Sequence, residues 1–186
     1  MFGLIDVHAL PRVLLPVVVV SAVAVVTDLS RGKIYNWLTG PALLLGLIVS
    51  AYWDGWPALA SSLGGAAAGL LLYGAMFWFG ILGGGDVKLL MALGAWGGTR
   101  FAIETGLLGI LLGGVFATVA LAFRGRLPSL MRRMYRFFLT VWVKELELEA
   151  PQLDRRHRLA FALPIAVAAV WACLGQPFEQ LGMHLW

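Results

Sequence analysis

Apolar positions along the chain gather into six runs, residues 13–27, 37–53, 58–82, 87–98, 101–123 and 159–175, separated by short stretches where glycine, proline and charged residues collect. A helix rising 1.5 Å per residue needs about 20 residues to cross roughly 30 Å of hydrocarbon. Five of the runs fit this with modest extension, and 87–98 is short. Spanning structures must satisfy their own backbone hydrogen bonds, and no run shows the two-residue alternation of a barrel strand. The pattern predicts an all-α, polytopic integral membrane protein of about six transmembrane helices, folded as a single membrane-embedded domain over 1–186.

Composition agrees and narrows the choice. Hydrophobic residues make up 60% and charged residues 13% of the chain, against about 45–50% and about 25% in an ordinary soluble domain. So apolar a chain is not a soluble domain, a disordered segment or a DNA-binding module. The net charge of +4 is explained by where the cations lie. With the first residues outside, the connections after the first, third and fifth runs carry Arg31 and Lys33, Lys88, and nine Lys/Arg between 124 and 158, while Arg12 and Arg100 remain on the other side. This is a strong positive-inside bias. It predicts a multi-pass protein with both termini on the outer side, and it keeps 87–98 as a span, since otherwise the nine-charge segment would face outward. The stretch from Arg12 to Ala24 loosely imitates a signal peptide, but Arg31 and Lys33 directly after it oppose export.

Within 124–158, Arg132, Arg136, Thr140 and Lys144 recur every four residues, with Leu130, Met134, Phe137, Phe138, Val141 and Trp142 on the other faces. This predicts a cytoplasmic amphipathic helix on the membrane surface, its basic stripe toward anionic headgroups. Nucleic acid is not needed to explain the basic charge. Gly65/Gly69, Gly94/Gly98 and Gly109/Gly113 have the spacing that lets helices approach closely. The single cysteine, Cys173, permits neither an intrachain disulfide nor a four-cysteine zinc site, and no metal or cofactor is expected.

Two acids stand at membrane boundaries, where an ionisable group is costly. Asp28 follows the first run, and Asp86 lies between Gly83-Gly84-Gly85 and the fourth. The predicted topology puts both at the cytoplasmic ends of their helices. Two carboxylates sharing one water and one proton can hydrolyse a peptide bond, the ionised acid taking a proton from water and the protonated one serving the oxyanion. Equally, Asp28 can be an interfacial acid near Arg31 and Asp86 a helix N-cap. The three glycines favour the first reading, because a helix end without Cβ atoms lets another backbone approach the carboxylate.

These residues resemble the type IV prepilin leader peptidases, intramembrane aspartyl proteases of the GxGD class. The likeness rests on Gly83-Gly84-Gly85-Asp86-Val87-Lys88-Leu89-Leu90, similar to GxGDxKLL, and on Asp28 followed by Ile34 and Asn36, similar to D-x5-I-P-N. Tyr35 stands where the family usually has proline, and Ala160-Phe161-Ala162 where it often has Pro-Phe/Tyr-Gly. The resemblance implies that Asp28 and Asp86 are the catalytic pair. It implies as substrate a prepilin-like precursor with a short basic leader, cut at the cytoplasmic boundary of a bacterial-type inner (cytoplasmic) membrane. It also implies the short, peptidase-only form found with tight-adherence (Flp) pilus systems, without a methyltransferase part.

Around the acids, Gly83, Gly84, Gly85, Lys88, Lys33 and Asn36 are candidates for supporting or substrate-binding roles. Lys88 equally suits a positive-inside anchor, and Asn36 a cap of the second helix. Glu145, Glu147 and Glu149 are either a solvated face or a lure for a basic leader. Glu104 sits where a helix dipole favours an acid, and His8, His157 and His184 have no ligand spacing. Tryptophans such as Trp53, Trp56 and Trp186 suit interfacial anchoring. The rival function is a small proton- or cation-coupled transporter using the same acids. The missing internal repeats and the placement of both acids at one face count against it.

Overall fold

Backbone in hydrocarbon has no water to bond, so apolar runs close their own hydrogen bonds as helices. The computed structural model describes residues 10–123 and 161–175. Four helices account for nearly all of them: α1 (Leu10–Arg31), α2 (Asn36–Trp78), α3 (Gly84–Phe123) and α4 (Ala162–Gly175). No strand occurs among the described residues. Three segments are long and apolar enough to cross a membrane, Arg12–Arg31, Gly55–Trp78 and Gly84–Val119, and Ala162–Gly175 is a shorter apolar helix. The predicted amphipathic helix at 124–158 lies outside the described residues, as do Glu145, Glu147, Glu149, the three histidines and Trp186.

The boundaries differ from the sequence reading in an instructive way. Helix α1 runs beyond 13–27 at both ends. Two of the predicted separations between runs prove to be single-residue breaks, Gly55 in α2 (φ 71°, ψ −158°), between the runs 37–53 and 58–82, and Gly98 in α3 (φ 81°, ψ −176°), the last residue of the run 87–98. Backbone with φ near +70 to +80° suits glycine because a Cβ would strain it. Both breaks reverse the chain. Gly94 lies against Ala102, and Gly106 against Leu90, so the two arms of α3 are antiparallel. Gly65 faces Gly94 while Gly69 faces Leu90, which sets the second arm of α2 antiparallel to the first arm of α3. The first arm of α2 runs parallel to it, since Trp96 Nε1 donates to the Ala42 carbonyl (2.9 Å) and Lys88 reaches Asn36.

The first arm of α3 is the hub, with Leu89, Leu90, Ala92, Leu93 and Ala95 fully buried. Val17 and Ala24 of α1, Tyr73 of α2 and Ile165, Ala168 and Ala169 of α4 are also fully buried. Large side chains such as Leu44, Ile48, Leu71, Val115 and Leu174 point outward, as expected where lipid is the solvent. Between helices in lipid, close packing and polar contacts replace the hydrophobic drive. Buried interhelical bonds accordingly run from the Ser62 hydroxyl to the Ala95 carbonyl and from the Tyr73 hydroxyl to the Gly106 carbonyl (3.2 Å), and an exposed one from Thr99 Oγ1 to the Ser61 carbonyl (3.0 Å).

One end of the bundle gathers the Gly55 and Gly98 bends, joined by the Ser61–Thr99 bond, and the start of α1, whose Arg12 guanidinium lies 5.6 Å from the Trp53 ring centroid. Trp53 and Trp56 are exposed there. The opposite end gathers the end of α1, both ends of α2 and the starts of α3 and α4. Both aspartates are at that opposite end.

Candidate active site

Asp28 lies in the last turn of α1, where its carbonyl accepts from the Gly32 N–H at 2.8 Å. Gly32, at φ 62°, ends the helix, and residues 33–35 lead to α2. The Asp28 side chain is half-buried, and its Oδ2 accepts from the Ala162 N–H at 3.2 Å, the first residue of α4. That contact spans 134 positions of sequence. It places Asp28 at a helix N-terminus, where unpaired N–H groups and the dipole stabilise negative charge.

Asp86 is the third residue of α3, not the N-cap considered above. Its Oδ2 reaches back to the Gly83 N–H at 3.1 Å, while the Gly83 carbonyl accepts from the Asp86 and Val87 N–H groups at 3.1 and 3.4 Å. The carboxylate thus satisfies a backbone donor just ahead of its own helix, as the acid of a capping box does. It is 8% exposed. Each of the two acids therefore sits against a helix N-terminus, Asp86 at its own and Asp28 at that of α4.

The two motifs pack on each other. A Cβ at Gly85 would lie 3.0 Å from the Ile34 Cβ, so the absence of a side chain is what lets the segment after Asp28 close over the turn before Asp86. Beside this contact, Lys88 Nζ donates to Asn36 Oδ1 at 2.9 Å. Asn36 does not cap α2: Tyr35 holds the N-cap position, in extended backbone and with no side-chain capping bond. Tyr35 instead accepts from Arg31 Nη1 at 3.2 Å, with the guanidinium 5.9 Å from its ring centroid. Lys33 is exposed in the connecting segment, and Gly84 packs against Phe77.

Tyr73, fully buried in α2, was not singled out by the sequence. Its hydroxyl donates to the Gly106 carbonyl of α3, but a tyrosine inside the uniformly apolar run 58–82 carries no cue to its direction. Glu104 is remote from the pair, six residues past the Gly98 break that lies at the other end of the bundle. It is buried and bound to Arg100 Nε at 3.0 Å. Among the described residues no three of His, Cys, Asp and Glu gather as a metal site would require. What the acidic end offers chemically is two carboxylates on packed-together motifs, each able to exchange a proton.

A family model described as the type IV leader peptidase family matches residues 15–118, which include both aspartates. Among curated proteins, a prepilin leader peptidase/N-methyltransferase of Stutzerimonas stutzeri is 39% identical over 101 residues, covering 50% of this chain and 35% of that protein. Proteins of the same name from Burkholderia pseudomallei (strain 1026b) and Pseudomonas putida are 36% identical over 107 residues and 38% over 91. The first covers 54% of this chain and 34% of the relative, the second 45% and 31%. The chain thus matches about a third of the length of these relatives. No solved structure matches it. With the family match covering more than half of the sequence and both acidic motifs, the chain belongs to the type IV leader peptidase family.

Proposed function

We propose that this protein is an aspartic endopeptidase that removes the short basic leader from type IV pilin-like (prepilin) precursors at the cytoplasmic face of the membrane. The observation that carries the reading is the meeting of the Asp28 and Asp86 motifs at one end of the bundle, within the span matched by the family. In the proposed reaction, one carboxylate, ionised, takes a proton from water as the water oxygen bonds to the scissile carbonyl carbon. The other carboxyl donates its proton to the developing oxyanion. As the carbonyl re-forms, the C–N bond breaks and the leaving nitrogen takes a proton from the acid pair. Leader carboxylate and a new amino terminus are released. Gly83, Gly84 and Gly85 supply an open helix end beside Asp86 where an unwound peptide backbone can lie.

The proposed topology has six helical segments crossing the membrane, the arms of α2 and α3 counting separately, with both termini outside. Its support is the separation of charge: Arg31, Lys33 and Lys88 are at the end that carries the two acids, and Arg12 and Arg100 at the end with the Gly55 and Gly98 bends. This is the inside-positive arrangement, and it puts the acids toward the cytoplasm. The basic stripe in 124–158 would then meet anionic headgroups of the same leaflet. Family membership lends no support to the transporter alternative.

The direct test co-expresses the chain with a precursor carrying a basic leader and an apolar helix. Leader removal is the expected result, read as a mass shift of the precursor. An intact precursor beside folded, membrane-inserted enzyme contradicts the proposal.

A further inference from the structure

The bond from Lys88 Nζ to Asn36 Oδ1, 2.9 Å long and spanning 52 positions, is not accounted for by the needs of either helix. Tyr35, not Asn36, occupies the N-cap of α2. Lys88 stands near the N-terminus of α3, the end where a helix dipole disfavours a cation. The bond joins the residue two beyond Asp86 to the residue eight beyond Asp28. Next to it, Ile34 sits against Gly85 at the 3.0 Å spacing of their Cβ positions. These two contacts hold the segment after Asp28 against the turn that carries Asp86. Because the polar bond is exposed, it adds little to global stability. Its effect is on register.

We propose that Lys88 and Asn36 are positioning residues, a clasp that keeps the Asp28 end of α1 aligned with the Asp86 turn so that both carboxylates address one water. This rests on the peptidase reading above. The bond ties the Asn36 side-chain oxygen to the Lys88 ammonium, and the pair acts through the acids, so that its loss shows in kcat and not in KM. Small displacements of reacting groups are enough to matter, since a misplacement of about 1 Å can lower a rate about 100-fold.

The test measures kcat and KM for precursor cleavage by Asn36→Ala, Lys88→Met, the double variant and Asn36→Asp, all in bicelles. Each alanine or methionine variant is expected to lose kcat by about 10- to 100-fold with little change in KM. The double variant should be no worse than the poorer single, and Asn36→Asp, which keeps an acceptor for Lys88, should recover most of the rate. A raised KM with normal kcat, additive losses, or an Asn36→Asp variant as poor as Asn36→Ala overturns the clasp. A second readout does not use activity. Amide hydrogen exchange in the segment that joins α1 to α2 should be several-fold faster in Lys88→Met than in the unsubstituted protein. An unchanged rate overturns the clasp whether or not any form cleaves precursor, whereas cleavage absent from the unsubstituted protein defeats the peptidase reading instead.

Discussion

Replacing Gly65 by alanine probes the packing on which the site depends. The new methyl would overlap the Gly94 carbonyl oxygen and lie 2.7 Å from both the Gly94 and the Gly98 carbonyl carbons, where ordinary contact begins at 3.4 Å. Backbone atoms cannot rotate aside, so α2 and α3 must part by at least the 0.7 Å missing at the carbons. A gap of about 0.5–1 Å forfeits a quarter to a half of each dispersion contact across it, and overpacking of this kind costs about 1–3 kcal/mol. Gly74→Ala is the matched control. Its methyl would meet only Leu70 Cδ1, at 3.7 Å, so it should be neutral or stabilise the helix by up to about 1 kcal/mol. Unfolding by sodium dodecyl sulfate titration in mixed micelles, followed by circular dichroism, should separate the two variants by about 2–3 kcal/mol. If Gly65→Ala unfolds together with Gly74→Ala, the close approach of α2 and α3 is wrong.

Three further variants are read by the same titration. Tyr73→Phe removes the bond to the Gly106 carbonyl and should cost about 0.6–1.7 kcal/mol, the range for interhelical hydrogen bonds in lipid; no loss would mean that the bond is not made. Arg100→Met strips the ion-pair partner from the Glu104 carboxylate, whose side chain is 3% exposed, and should cost about 1–3 kcal/mol after allowing for the partial exposure of Arg100. Adding Glu104→Met should recover most of that, and a double variant no more stable than Arg100→Met would contradict the account. Gly55→Ala places a methyl in nearly open space at φ 71°, ψ −158°, so its cost is backbone strain alone, about 1–3 kcal/mol; Gly55→Asn should cost as much, because asparagine tolerates positive φ only with ψ at about +30 to +60°, and a variant as stable as the parent would contradict the break.

Much of the site was legible before any coordinates because glycine and charge carry the signal in an apolar chain. Asp28 and Asp86 stood out against hydrocarbon, Gly83-Gly84-Gly85 marked a helix end, and Gly65 and Gly94 announced a close approach. The Gly55 break falls between two predicted runs and the Gly98 break on the last residue of the run 87–98, although their form as one-residue reversals did not follow from composition. Other features had no local signature. A helix apolar on every side gives no phase to say which face is inward, so the direction of Tyr73 was hidden. The bonds from Ala162 to Asp28 and from Lys88 to Asn36 join distant positions through packing that one sequence does not encode locally. Asn36 looked like a helix cap because its residue type suits one, and the connection before α2 instead put Tyr35 in that position.

The central claim is that Asp28 and Asp86 do acid–base work, and single Asp→Asn exchanges test it most directly. An asparagine oxygen can still accept from the Ala162 or Gly83 N–H that each carboxylate binds now, so these bonds can be kept while the carboxylate's charge and its ability to exchange a proton are lost. Measured as the rate of leader removal by detergent-stable, correctly inserted protein, each exchange should reduce cleavage by about 10²–10⁴-fold or more. Undiminished leader removal by either variant would contradict the two-aspartate mechanism.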